Sequence, residues 1–476
     1  MPVVRSPCQN VKRCSNFLLL RQCSKASKFI PSIKFMKQVL LLSCYLLSQL
    51  LYAQQEQRSL IRAGKLFDSE SGEFKKDQVI LVRGNKIEAV KPQSELTAQE
   101  KTDYATVIDL SHYAVTPGLI DAHTHLLNRE VIHPNNPYPG LDMAKVLTLE
   151  GDAYRAVYGT ARAKGFLEHG VTAVQDLGNS GRFADIALRR GINEGLVPGP
   201  RMRCSGPGLA TEGGQLPGLI YQHQNLASDE YRIVKSADDG VQAVRENITQ
   251  GAEVIKIYAN NTPNNTMLSV EEISAITKEA HRYGVRVTAH ATSNKAVWNA
   301  VMGGVDGIEH GYQMDDSTIA LMAKRGVILV PTYGDSVILA KYISLANPGN
   351  EAELKKIPQT TTGYLDYEAT MIQRAKKAGV TIVAGSDDYV DVQLPMGEWS
   401  IHNLLGYRRA GLSIPEILKA ATIQAAKHLR WLNQIGVLKK GAFADIVAFD
   451  GDLDTNINAL LNAHFVMKDG KVYVNK

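Results

Sequence analysis

Two histidines separated by a single residue, His123 and His125 in "DAHTH", stand at the end of an apolar run. Four other chemically capable residues have similar settings: Lys256 in "VIKIYA", His290 in "TAHA", His310 in "GIEHG" and Asp387 in "AGSD". Borderline divalent metals favour imidazole nitrogen and carboxylate oxygen. Residues two apart on a strand point to the same side, so His123 and His125 can share one ion. A lone histidine at a strand end is more often a satisfied polar residue than a ligand. Four histidines with Asp387 are more than one tetrahedral Zn²⁺ requires, and two metal ions fit better than one. Lys256 is the odd member. An ammonium among metals and apolar neighbours is costly to bury and repelled, so it must lose its charge or be modified.

These residues act together only if the chain brings strand ends to one rim. From Val115 onward, short apolar runs alternate with amphipathic stretches, the pattern of βα units around a parallel sheet. The runs are 115–125, 171–177, 201–206, 252–259, 286–291, 307–311, 327–333 and 381–387. Eight runs close a (β/α)8 barrel, whose active site lies at the C-terminal ends of the strands. Between them, "SVEEISAITKEAHRYG" reads as a helix with a Ser269/Glu272 capping box, and "SIPEILKAATIQAAKHLRW" as one capped by Ser413 and Glu416. The segments 54–114 and 431–476 alternate like hairpins, which predicts a small composite β-sandwich from both ends flanking a barrel at 115–430.

"PGLIDAHTH", the fourth-strand lysine, "TAHA", "GIEHG" and "AGSD", followed by "ATIQAAKHL" and "GVLKKGAFADIVAFDGD", resemble the metal-dependent amidohydrolase superfamily, in its imidazolonepropionase- and prolidase-like (Xaa-Pro dipeptidase-like) branch. The likeness runs from about Leu60 to the C-terminus. It implies that Lys256 is carboxylated by CO₂ to a carbamate bridging two divalent ions. It also implies that His123, His125 and Asp387 hold one ion and His290 and His310 the other. Zinc is the expected metal. The resemblance further implies that a hydroxide shared by the ions attacks the scissile carbonyl and that Asp387 takes its proton and passes it to the leaving nitrogen. The implied substrate is a small-molecule amide, a dipeptide or N-acyl amino acid, with a cyclic amide or lactam as the nearest competitor. The competitor from another class is a catalytically inactive metal-containing binding protein, against which the intact ligand set argues.

Tyr258, two residues after Lys256, should face the same way and offer a substrate-binding hydroxyl. Interior packing is its alternative role. His223, with His133 and His402, falls in segments that follow strands and can line a pocket mouth. His112, His169, His281, His428 and His464 read as surface or helical residues without a role. Asp388 points away from Asp387 by alternation. The stretch "GPGLATEGGQLPG" lacks the Lys-Ser/Thr of a phosphate loop. Gln215 stands where family members often carry a histidine.

The front end differs from the rest. Residues 1–53 hold eight basic and no acidic residues, and from Met36 a short basic start, an apolar stretch to Tyr52 and Ala53 have the layout of a signal peptide. A secreted or periplasmic protein cleaved near Ala53 is expected, and the apolar stretch is too short for a permanent membrane anchor. Translation can start at Met1 or Met36. Without this leader the formal charge falls from +5 to −3, and no basic, aromatic-laced surface for nucleic acid remains. Four of five cysteines lie in the leader, so Cys204 has no disulfide partner. Nothing in the sequence argues for or against a homo-oligomer.

Overall fold

Alternating apolar residues at both ends of the chain form strands that meet in one sheet. The computed structural model describes residues 57–476 except 105, 135–140, 217 and 262–263; the leader and its signal peptide lie outside the described residues. Strands Arg58–Asp68, Glu73–Arg83, Lys86–Pro92 and Thr106–Pro117 join Ile446–Phe449, Ala463–Lys468 and Lys471–Asn475 in a seven-stranded sheet. Thr106–Pro117 is the seam, parallel to Arg58–Asp68 on one side and antiparallel to Ile446–Phe449 on the other. One face contributes Ile61, Ile80, Val82, Ile446, Ala448, Phe465 and Met467 to a single apolar cluster. Both segments expected to form a small composite β-sandwich thus contribute strands to one continuous sheet, and Lys86 at its edge bridges to Phe443.

The run 115–125 is not one strand. Thr106–Pro117 belongs to the end sheet, and a separate strand, Leu119–Thr124, begins the parallel part of the fold. Proline has no N–H for the ladder. The N–H of Gly118 turns instead to the Asp445 carbonyl, 2.9 Å away. A side chain at Gly118 would overlap Thr172.

The parallel strands follow in chain order: Leu119–Thr124, Val171–Asp176 and Arg201–Cys204 in one sheet, then Val254–Tyr258, Arg286–Ala291, Gly307–His310 and Ile328–Val330 in another. The Glu253 N–H donates to the Cys204 carbonyl (2.9 Å), linking the two sheets. The eighth segment, 381–387, is not a regular strand. It runs between the seventh and first, bridging Ile382 to Leu329 and Asp388 to Thr124, with Ala122 N–H donating to Ala384 O at 2.9 Å. Gly385 permits this approach, since a Cβ there would overlap Val330 and His123.

The capping boxes at Ser269/Glu272 and Ser413/Glu416 both form. The second helix is shorter than its sequence suggests: it divides into Ile414–Ala420 and Ile423–His428. The Ala420 and Ala421 carbonyls accept from the N–H groups of Ala384 and Ile120, so the barrel-type segments take over bonds that a continuous helix would make.

Among the described residues no helix is long and apolar enough to cross a membrane. The helix Ile357–Lys377 buries Glu368, whose carboxyl burial pushes up from 4.5 to about 7 against a hydrogen bond from Tyr364. A raised carboxyl favours the folded state fully below the unfolded value and loses that contribution as pH climbs to about 7. Glu368→Gln should therefore gain about 2–3 kcal/mol over the parent at pH 8 and almost nothing at pH 4, as measured by urea unfolding. An equal gain at both values would count against a buried, titrating Glu368.

Candidate metal centre

His123 and His125 alternate along Leu119–Thr124 as expected and emerge on one side, their Nε2 atoms 3.3 Å apart. Asp387 Oδ1 lies 3.2 Å from His125 Nε2 and 3.5 Å from His123 Nε2. Lys256 Nζ lies 3.3 Å from His123 Nε2. The His310 ring stands 5.2 Å from that of His123 and 4.6 Å from that of His290. The six residues read from the sequence are thus gathered into one cluster. Asp387 and His310 have left-handed backbone, at φ +56° and +74°. Such strain in non-glycine residues persists where the surroundings fix it.

The outer nitrogens are already engaged. His125 Nδ1 donates to the Gly178 carbonyl at 2.8 Å, and His123 Nδ1 meets Glu309 Oε2 at 2.7 Å. His310 Nδ1 lies 2.8 Å from the Thr332 hydroxyl. A carbonyl only accepts, so His125 carries a proton on Nδ1 and turns its Nε2 inward, toward His123 and Asp387. Burial pushes His123, His290 and His310 below the ordinary imidazole value, and neighbouring Lys256 adds to this. Burial acts to raise Asp387, yet His123, His125 and Lys256 hold it below the usual carboxylate range. Lys256 is 1% exposed, and burial lowers its ammonium against the pull of Glu309 and Asp387.

Inward lone pairs beside a carboxylate repel one another unless a cation lies between them. His123, His125 and Asp387 offer ligand atoms within 4.8 Å of one another, close enough to hold one metal ion. His290 adds a buried Nε2 that, among the described residues, has no hydrogen-bond partner. Neutral imidazoles, a carboxylate and an unpartnered buried nitrogen fit a borderline divalent ion.

The remaining candidates fall elsewhere. Tyr258 does share the side of Lys256, and its ring lies 5.3 Å from that of His290. Its hydroxyl, however, donates to Asn179 Oδ1 at 2.7 Å, so packing and loop anchoring already use this residue. His223 is exposed on the turn Tyr221–Leu226 and, among the described residues, makes no hydrogen bond or ion pair with the cluster. His133 pairs with Asp142, and His402 is buried against Asp335 at 2.6 Å, both engaged within the protein. Asp388 turns away from the cluster to Arg162. His428, read as a surface or helical residue, ends the helix Ile423–His428 and is buried, with its Nδ1 2.5 Å from Arg286.

Sequence reasoning misses Glu309 and Arg155. Their signal is a charged residue inside an otherwise apolar or helical run. Arg155, on the helix Gly151–Glu168, binds Glu230 through two nitrogens at 2.7 and 3.0 Å, and donates to the carbonyls of Leu127 and Asn179. It ties together the loops after the first three parallel strands, and Asn179 passes the contact on to Tyr258 and Tyr231. Arg155 is 2% exposed and Glu230 not at all. Arg155→Met leaves a buried carboxylate unpaired and should cost about 3 kcal/mol in chemical denaturation. Adding Glu230→Gln should restore much of it. A single-variant loss below about 1 kcal/mol would rule out a desolvated pair.

The fold and the cluster define a parallel α/β protein with a candidate metal centre at its strand ends. A profile of the Amidohydrolase family matches residues 114–473, and the chain belongs to that family, whose members generally use metal ions. It is 31% identical over 209 residues to an uncharacterized protein of Mycobacterium bovis, covering 43% of this chain. The chain spans about half the length, 52%, of that relative. An imidazolonepropionase of Brevibacillus brevis is 24% identical over 372 residues, covering 74% of this chain and 78% of its own. Among solved structures, a Xaa-Pro dipeptidase with bound methionine in its active site superposes with a TM-score of 0.73 at 26% identity. That match covers 88% of this chain and all of the other.

Proposed function

We propose that this chain is a metal-dependent amidohydrolase that cleaves the C–N bond of a small-molecule amide, a dipeptide or an N-acyl amino acid. The convergence of His123, His125 and Asp387 beside Lys256, His290 and His310 carries the reading. In this reading the parallel segments form one closed (β/α)8 barrel. His123, His125 and Asp387 would hold one divalent ion and His290 and His310 the other, zinc in both, and Lys256, as its carbamate, would serve as a ligand. When bound, the ions supply Lewis acidity for the scissile carbonyl and lower the pKa of water. The chain's own residues do the rest. Asp387, ionised and 21% exposed in its side chain, takes a proton from water and delivers it to the leaving nitrogen. His123 stays neutral, and the outer bonds of His123 and His125 fix both rings in rotation.

The likeness to a Xaa-Pro dipeptidase supports the dipeptide over other amides. The likeness to an imidazolonepropionase favours a second reading, a ring amide. The leader composition supports export to the periplasm or outside. The test is to purify the chain, restore metal, measure metal content and screen dipeptides, N-acyl amino acids and lactams. Absence of turnover on every amide by a folded, metal-loaded protein would leave a binding protein in place of the enzyme.

A further inference from the structure

Glu309 is a fully buried carboxylate in the short strand Gly307–His310. Its Oε2 lies 2.7 Å from His123 Nδ1, and its Oε1 accepts the hydroxyl of Thr288 on the neighbouring strand. A carboxylate at this depth is costly unless its oxygens are engaged, and here each has a named partner. Strand alternation alone would send Glu309 and His310 to opposite sides. The left-handed backbone at His310 removes it from that alternation. Both neighbours therefore approach His123, Glu309 through a hydrogen bond and His310 through its ring.

We propose that Glu309 is a positioning residue for His123. It accepts the Nδ1 proton, which fixes the ring's rotation and the tautomer whose Nε2 lone pair faces His125, Lys256 and Asp387. Thr288 holds the second carboxylate oxygen and so keeps Glu309 from rotating away. The inference rests on the metal-centre reading above and adds a seventh residue to its six. Carboxylates that take the outer N–H of a ligand histidine make it more basic and pre-orient it, and their loss typically weakens metal binding 10–100-fold.

The experiment measures Zn²⁺ affinity of the metal-free full chain by competition with a chromophoric chelator, with circular dichroism as the folding check. Glu309→Leu is expected to lose 10–100-fold in affinity, whereas Glu309→Gln, which still offers His123 an acceptor, stays within about 3-fold of the parent. Histidine ¹⁵N shifts of the metal-free protein should report one His123 tautomer in the parent and in Glu309→Gln, and a mixture in Glu309→Leu. Parental affinity in a folded Glu309→Leu, or equal losses in the two variants, overturns the proposal. Should Glu309→Leu fail to fold, Thr288→Val takes its place: an affinity loss supports the proposal and an unchanged affinity overturns it. His123→Ala separates the two levels. If it also binds Zn²⁺ like the parent, the metal-centre reading falls; if it loses binding while Glu309→Leu does not, only the role of Glu309 falls.

Discussion

Asp387→Asn should lower kcat by about 10²–10⁴-fold on any amide that the parent hydrolyses, while KM stays within a few-fold. Asparagine keeps the volume and one oxygen near His125 Nε2, where Asp387 Oδ1 now sits at 3.2 Å. What it loses is the capacity to accept a proton and return it to a leaving nitrogen. The parent carboxyl is held below its ordinary value despite burial, so it is ionised and ready as a base at neutral pH. His123, His125 and Lys256 are 7% exposed or less, and cannot replace it at the open side of the cluster. The check is steady-state kinetics at matched metal content. A kcat within about 3-fold of the parent would remove Asp387 from the proton path.

Lys256→Met is expected to move stability and activity in opposite directions. Lysine and methionine differ little in length, and an ammonium whose burial outweighs its support is costly to hold, so an apolar chain of similar volume in its place is neutral or stabilising. Lys256 is 1% exposed, and its charge is opposed by burial more than it is supported by Glu309 and Asp387. The metal-free variant should thus unfold at a denaturant concentration equal to or above that of the parent. Its metal content should nevertheless fall below two ions per chain. Hydrolysis should drop by a factor on the order of 10³ or more, the equivalent of several kcal/mol of transition-state stabilisation. A lysine that only fills space would show the first effect without the others. Retention of two metals and full turnover would sink the bridging role.

All six residues of the cluster were legible in the sequence because a polar side chain at the end of an apolar strand is conspicuous, and parallel strands gather such ends on one side. The two capping boxes were equally plain, since each is a local pattern of four residues. What sequence missed depends on contacts between distant segments. The break between Pro117 and Gly118 is hidden because the residues on either side of it, 114–117 and 119–120, are all buried, although the dipeptide itself is a turn signal. Division of the helix after Ala420 follows from carbonyls claimed by Ala384 and Ile120, far away in the chain. Glu309 escaped because alternation assigns it to the side opposite His310, and only the backbone turn at His310 undoes that rule. The burial of His428 escaped because nothing local reveals Arg286 against its ring.

The seam strand Thr106–Pro117 has a kinetic consequence. Its partner on one side, Arg58–Asp68, precedes it closely, but its partner on the other, Ile446–Phe449, is synthesised about 330 residues later. At typical elongation rates that interval lasts on the order of tens of seconds. Throughout it, the strand presents an unpaired edge to every other nascent chain nearby. The sheet is completed only when Ile446–Phe449, Ala463–Lys468 and Lys471–Asn475 have emerged, so these strands act as a clasp that is fastened after the barrel-type segments have had time to order. A chain shortened at its C-terminus would keep all six cluster residues and still leave that edge open to aggregation.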